Sequence, residues 1–150
     1  MGLHDPLLEA AVPVHSSDAL VVSIGRPAPW VFGSRVKGHL DVAGARVIDQ
    51  AVRTQTAAER RYMVLLNDWS GMTDYDGAAR VMLTDLARAV LPACDAVHIL
   101  ISSQRVAFGV RAANLVLHRL TAHTKLETFS AALRAAVEHS PGFRVHSRPL

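Results

Sequence analysis

The sequence predicts an α/β fold: a mixed, mostly parallel sheet with an antiparallel edge pair and helices packed on it. Two observations carry that expectation. Short apolar segments of strand length alternate with longer segments whose apolar residues recur at three and four residues, and each alternation implies a crossover between parallel strands. The first two strand-like segments are instead joined by a short Gly/Pro turn, which implies antiparallel pairing. With 150 residues, 50% of them hydrophobic and 19% charged, the chain suits one compact core. The expected division is an N-terminal arm over 1–18, one domain over 19–140 and a tail over 141–150.

Residues 1–18 mix Pro6, Pro13, Ser16, Ser17 and Asp18 with Leu7, Leu8, Val12 and Val14, an arm with little regular structure that still has apolar residues to dock on the body. Ala19 to Ile24 is a β-branched run closed by Gly25-Arg26-Pro27-Ala28-Pro29, read as strand then turn. Trp30, Phe32 and Val36 continue with the period of a second strand. From Asp41, a natural N-cap, Ala45, Ile48 and Val52 mark the first helix. Tyr62 to Leu66 is apolar on both faces, as a central buried strand requires. A second helix is expected from Asp74 to Leu91 on Ala79, Met82, Leu83, Leu86 and Val90, with Pro92 helping to stop it. Val97 to Ile101 repeats the buried-strand pattern. The third helix, Arg105 to Thr121, aligns Val106, Val110, Ala113, Leu117 and Leu120, and its Gly109, which costs about 0.5–1 kcal/mol relative to alanine, implies a close backbone approach there. A last strand is expected over Leu126 to Phe129, feeding a helix capped by Ser130 and built on Leu133, Ala136 and Val137 until Ser140-Pro141-Gly142.

Composition narrows the function classes. The single cysteine, Cys94, excludes an internal disulfide and a cysteine-based zinc site. The pI near 9.6 comes from a net charge of only +3, and Arg80, Arg88, Arg105, Arg111, Arg119 and Arg134 are spread along three helices among core positions and acids, not gathered in a nucleic-acid stripe. Residues 76–150 carry nine Lys and Arg against five Asp and Glu, a net of +4, a weakly basic side open to an acidic partner. The eight histidines show no metal spacing: His118 and His123 are five apart, one more than zinc helices use. No phosphate loop, Gly-x-Gly-x-x-Gly run or Gly-x-Ser-x-Gly elbow occurs, so no enzyme and no cofactor is expected. No basic n-region precedes an apolar run, and charged residues interrupt every apolar stretch short of the roughly 20 residues of a membrane span. A cytoplasmic location is the expectation by elimination.

Three segments resemble a known family. Val36-Lys37-Gly38-His39-Leu40-Asp41 before a helix is similar to the strand ending in Gly-x-Leu-Asp of STAS domains, the fold of anti-sigma-factor antagonists. Leu65-Leu66-Asn67-Asp68-Trp69-Ser70-Gly71-Met72 resembles that family's strand-end Leu-Asp-x-Ser-Gly-Val, and Leu126 to Leu133 resembles the last strand of the SpoIIAA-like group, which has lipid-binding relatives. The resemblance spans Ala19 to Val137 and implies a non-catalytic regulatory module that binds a protein. It also implies a serine or threonine phospho-switch at the start of the second helix. Asp74-Tyr75-Asp76-Gly77 stands in that place, with tyrosine and aspartate at the two hydroxyl positions, so the module is expected to lack the usual switch. The aspartate there is either a partial electrostatic imitation of phosphate or ordinary helix N-terminal chemistry.

Independently of the resemblance, Asp68, Ser70, Gly71, Thr73, Asp74, Asp76 and Gly77 form a polar group where the central strand meets the second helix. Ser102, Ser103 and Arg105 end the next strand on the same side. Carboxyl ends of parallel strands are where ligands bind, so these residues are the candidate binding edge. Clustered acids also admit magnesium, which lacks here a phosphate-binding glycine loop. The SEC14-like side of the resemblance implies a second reading, a carrier or sensor of a small hydrophobic ligand or lipid, in a cavity lined by Trp30, Phe32, Tyr62, Trp69 or Phe108. A homodimer through Trp30 and Phe32 on an edge hairpin is the remaining option.

Overall fold

The structure, a computed structural model, describes residues 11–144. Six strands, β1 (Val12–Ser16), β2 (Leu20–Ala28), β3 (Val31–Leu40), β4 (Met63–Tyr75), β5 (Cys94–Leu100) and β6 (Leu120–His123), lie in one sheet in chain order. β2 runs antiparallel to both β1 and β3, and β3 to β6 are parallel. The crossovers are the helices α1 (Val42–Ala58), α2 (Gly77–Val90) and α3 (Gln104–Leu117), and a fourth, α4 (Leu126–Glu138), follows β6.

Strand alternation divides the interior into two cores. Phe32, Val36, Leu65, Val97 and Ile99 point to the face covered by α1, α2 and α3, where they meet Ala45, Ile48, Val52, Ala79, Leu86, Val90, Val106 and Val110. Val31, Val64, Leu66 and Leu100 point the other way and pack on Phe129, Leu133 and Ala136 of α4. The double-sided apolar pattern of β4 and β5 is the signature of strands covered on both faces. Asp41 caps α1 as expected, accepting from Gly44 N at 2.8 Å.

Several boundaries differ from the sequence reading. Val12–Ser16 is an edge strand paired to β2, with Val12 and Val14 exposed, while Leu7 and Leu8 lie outside the described residues. β2 runs on through Pro27 to Ala28, with a register irregularity between Gly25 and Ala28, so the turn shrinks to Pro29-Trp30. α3 ends at Leu117 because His118 adopts the left-handed conformation (φ 58) and the Asn114 side chain grips the chain beyond it: Asn114 Nδ2 donates to Leu120 O at 3.1 Å and Leu120 N donates to Asn114 Oδ1 at 3.0 Å. Leu120 thereby opens β6. Leu126 to Phe129, expected as the last strand, is the first turn of α4, and Ser130, expected as its cap, is buried inside that helix; Lys125 is the N-cap residue. A four-residue apolar run cannot separate strand from helix, and the spacing Phe129, Leu133, Ala136 decides for helix. Trp30 closes the β2–β3 turn and Phe32 lies in β3, an interior strand. Phe32 is buried, and Trp30 Nε1 donates to Ala136 O at 2.6 Å, so neither offers an edge for a dimer.

Gly38 holds the β2–β3 pair in place before α1. Its φ of +102° excludes most side chains, and a Cβ there would lie 2.0 Å from Ala19 O. Gly38→Ala is therefore expected to cost about 2–3 kcal/mol, read by chemical denaturation as a lower midpoint at unchanged slope.

Candidate functional site

The predicted residues gather at two places along β4, and the starts of α2 and α3 join the second of them. β5 accompanies β4 only from Met63 to Asp68, whereas β3 follows it to Tyr75. The register against β3 slips twice, between Arg35/Lys37 and between Gly38/His39, each slip inserting one extra residue in β4. These bulges keep as strand what reads in sequence as a polar loop.

The first place is the middle of β4. Asp68, 6% exposed, accepts from Ser70 Oγ at 2.6 Å and from Ser70 N at 3.2 Å through Oδ1, while its Oδ2 lies 3.6 Å from Arg35 Nε. The pair is directed inward and neutralises itself. Gly71 is opposite Lys37 in the ladder.

The second place is the strand end, up to about 20 Å further along. Asp76 is the N-cap residue of α2 but makes no cap hydrogen bond. Its Oδ1 meets His39 Nε2 at 2.6 Å instead. His39 Nδ1 lies 3.8 Å from Asp74 Oδ2, and Arg105 Nε pairs with Asp74 Oδ1. Tyr75 donates to Arg105 O at 3.3 Å beneath the Arg105 guanidinium. Ser103 caps α3, accepting from Val106 N at 3.4 Å and donating to Thr73 O at the same distance. Thr73, Gly77 and Ser102 are exposed beside this network. The second helix starts at Gly77, three residues later than expected, because Asp74 and Tyr75 complete the ladder with His39 and Leu40, and Asp76 N extends it to Leu40 O at 2.9 Å.

His39 is the residue that sequence reasoning missed, though it lies inside the quoted Gly-His-Leu-Asp segment. Its hydrogen bond to Asp76 raises its pKa above the ordinary 6.5, aided by the charges of Asp76, Asp74 and Asp41. The other missed pair is His98 and His123, 25 residues apart and joined by the β5–β6 pairing. Thr128 donates to Lys125 O at 3.0 Å, so it must accept from His123 Nδ1 at 2.9 Å, and His123 Nε2 then accepts from His98 Nδ1 at 2.9 Å. Burial lowers both pKa values, and His123 lowers that of His98 further. Burial pushes the Cys94 thiol up to about 12, which keeps it protonated and unreactive. Among the described residues, no group of three or more His, Cys, Asp or Glu side chains converges to hold a metal ion, and no helix is long and apolar enough to cross a membrane.

No protein-family model and no curated protein sequence matches the chain. Solved structures do. An anti-sigma factor antagonist from Mycobacterium paratuberculosis superposes with a TM-score of 0.59 at 14% identity, covering 81% of this chain and 99% of its own. SpoIIAA, an anti-sigma factor antagonist in its unphosphorylated form, gives 0.58 at 13%, over 74% and 95%. An uncharacterised protein with a SpoIIAA-like fold from Shewanella loihica PV-4 gives 0.58 at 14%, over 79% and 98%. The chain has the SpoIIAA-like fold. In this SpoIIAA-like frame the strand-end network occupies the carboxyl ends of β3 and β4 together with the starts of α2 and α3.

Two pH effects follow. His39 titrates above 6.5, and Asp76→Asn lowers its pKa, read by NMR of the ring protons; because the folded value is raised, the contribution to stability is complete below 6.5 and lost as pH rises through the folded value. His98 and His123 act oppositely. Their folded values are lowered, so stability present above 6.5 is lost as pH falls through those values, and His98→Phe flattens the acid limb of a denaturation-midpoint-against-pH curve.

Proposed function

We propose that this chain is a non-catalytic, cytoplasmic regulatory module that binds another protein through the strand-end surface of His39, Asp74, Asp76, Gly77, Ser102, Ser103 and Arg105. The observation that carries the reading is the surface itself: an exposed row of alternating charge, Asp76, His39, Asp74, Arg105, contributed by β3, β4 and α3. Rows of this kind favour one docking register over others, since a shifted partner meets like charge. Likeness of the fold to anti-sigma factor antagonists supports a protein as the partner.

In this reading no serine or threonine switch operates at the start of α2. Asp74-Tyr75-Asp76-Gly77 offers neither residue, and the Asp76 carboxylate is held by His39. Asp68, Ser70 and Gly71 support the strand bend from within, and Thr73 contributes its carbonyl to the Ser103 contact. A lipid-carrier role has no support from the aromatic residues once expected to line a cavity. Of Trp30, Phe32, Tyr62, Trp69 and Phe108, Trp69 lines the cleft between α2 and α3 and Phe108, 68% exposed, lines an open hollow on α3, so the five do not share one cavity.

Affinity capture from the native host with quantitative mass spectrometry tests the proposal. A protein enriched by the wild type is expected to fall at least tenfold with Arg105→Glu and with Asp76→Lys, while phosphatase treatment of the bait leaves recovery unchanged. Equal recovery by both variants, or no specific protein at all, contradicts it.

A further inference from the structure

A cleft between α2 and α3 reaches down to β4 and encloses a cavity of about 100 Å³. Leu83, Ala87 and Val90 of α2, Val110 and Ala113 of α3, and Ile99 of β5 make its walls apolar. Asn67 of β4 stands at its floor, 7% exposed. The orientation of the Asn67 amide is set by a chain of hydrogen bonds. The Trp69 indole only donates, so Ser34 Oγ accepts from it at 3.0 Å; the Ser34 hydroxyl proton then goes to Asn67 Oδ1 at 2.7 Å. That leaves Asn67 Nδ2 as a donor without a protein acceptor among the described residues.

The hydroxyl groups on the lining are committed elsewhere. Tyr75 donates to Arg105 O and Thr84 Oγ1 donates to Arg80 O at 2.9 Å, while the exposed Arg80 stands at the mouth. A water beside Asn67 would have one strong partner where buried waters need 2–4. A lipid chain does not fit, since pockets for molecules of drug size run to about 300–1,000 Å³. The space is of the order of the about 150 Å³ apolar cavity that takes benzene. We propose that this cleft binds a neutral, ring-sized apolar molecule carrying one hydrogen-bond acceptor, which the Asn67 amide engages. Such binding does not depend on a protein partner at the strand-end surface.

Titration of the full chain followed by two-dimensional NMR tests this, with cyclohexanone, toluene and cyclohexanecarboxylate as probes. Cyclohexanone is expected to saturate, to move the Asn67 side-chain amide and Trp69 indole signals, and to bind more tightly than the more apolar toluene. Asn67→Leu is expected to weaken cyclohexanone about tenfold and leave toluene unchanged. Ala113→Phe, which fills the cleft from its rim without touching the polar triad, is expected to abolish both. Toluene binding more tightly than cyclohexanone would reduce the site to an apolar void and overturn the proposal. So would cyclohexanecarboxylate binding best and losing its advantage in Arg80→Gln, because the acceptor would then sit at the mouth. No saturable shift with any probe also overturns it.

Discussion

Backbone hydrogen bonding along β4 is the constraint on which the rest of the structure depends. Over Val64 to Asp68 the strand is paired on both sides and covered on both faces, which fixes the two cores. Beyond Asp68, β5 stops and β4 continues against β3 alone. One side of the backbone is then left to α3, and Ser103 and Tyr75 make the contacts that join helix to strand there. The charged network sits at this seam because it is where strand backbone, helix start and solvent meet. An unpaired strand edge invites wrong partners, and the acids, histidine and arginine at its end restrict which partner can approach.

The same seam sets what lies underneath. Tyr75 packs its ring against Gly109, where a Cβ would lie 2.6 Å from the phenolic oxygen. The close approach at Gly109 is thus made by a side chain and not, as expected, by backbone. With Ser34, Asn67 and Trp69 joined by hydrogen bonds on the floor and Arg80 at the mouth, the space between α2 and α3 has the Asn67 amide as its inner donor. A donor that faces an apolar cleft loses its hydrogen bond to water when an apolar molecule enters, unless that molecule brings an acceptor, so the triad has meaning beyond packing.

Much of this was legible in the residues. Period-two and period-3.6 patterns located β2, β3, α1, α2, β5 and α3, and the Asp41 cap and the core positions Ala45, Ile48 and Val52 are as read. The candidate edge was legible as a set of residue types, and the structure brings Asp74, Asp76, Ser103 and Arg105 together. What was not legible depends on geometry over distance. Two bulges turn the polar run 69–75 into strand and carry Asp68 and Ser70 away from Asp74 and Asp76. His39 joins the site because parallel pairing aligns it with Asp74, and His98 meets His123 only through β5–β6 pairing. β6 was hidden because the Asn114 side chain, not a proline or glycine, ends α3.

Amide hydrogen exchange, resolved residue by residue from Met63 to Asp76, tests the role of β4 most directly. If the strand continues through both bulges, the amides of 69–76 that bond β3, with Asp76 N on Leu40 O among them, exchange far more slowly than exposed turn amides and approach the protection of Met63 to Asp68. Protection that ends at Asp68, with every amide from 69 to 76 exchanging at turn-like rates, would contradict it and dissolve the site built on that segment.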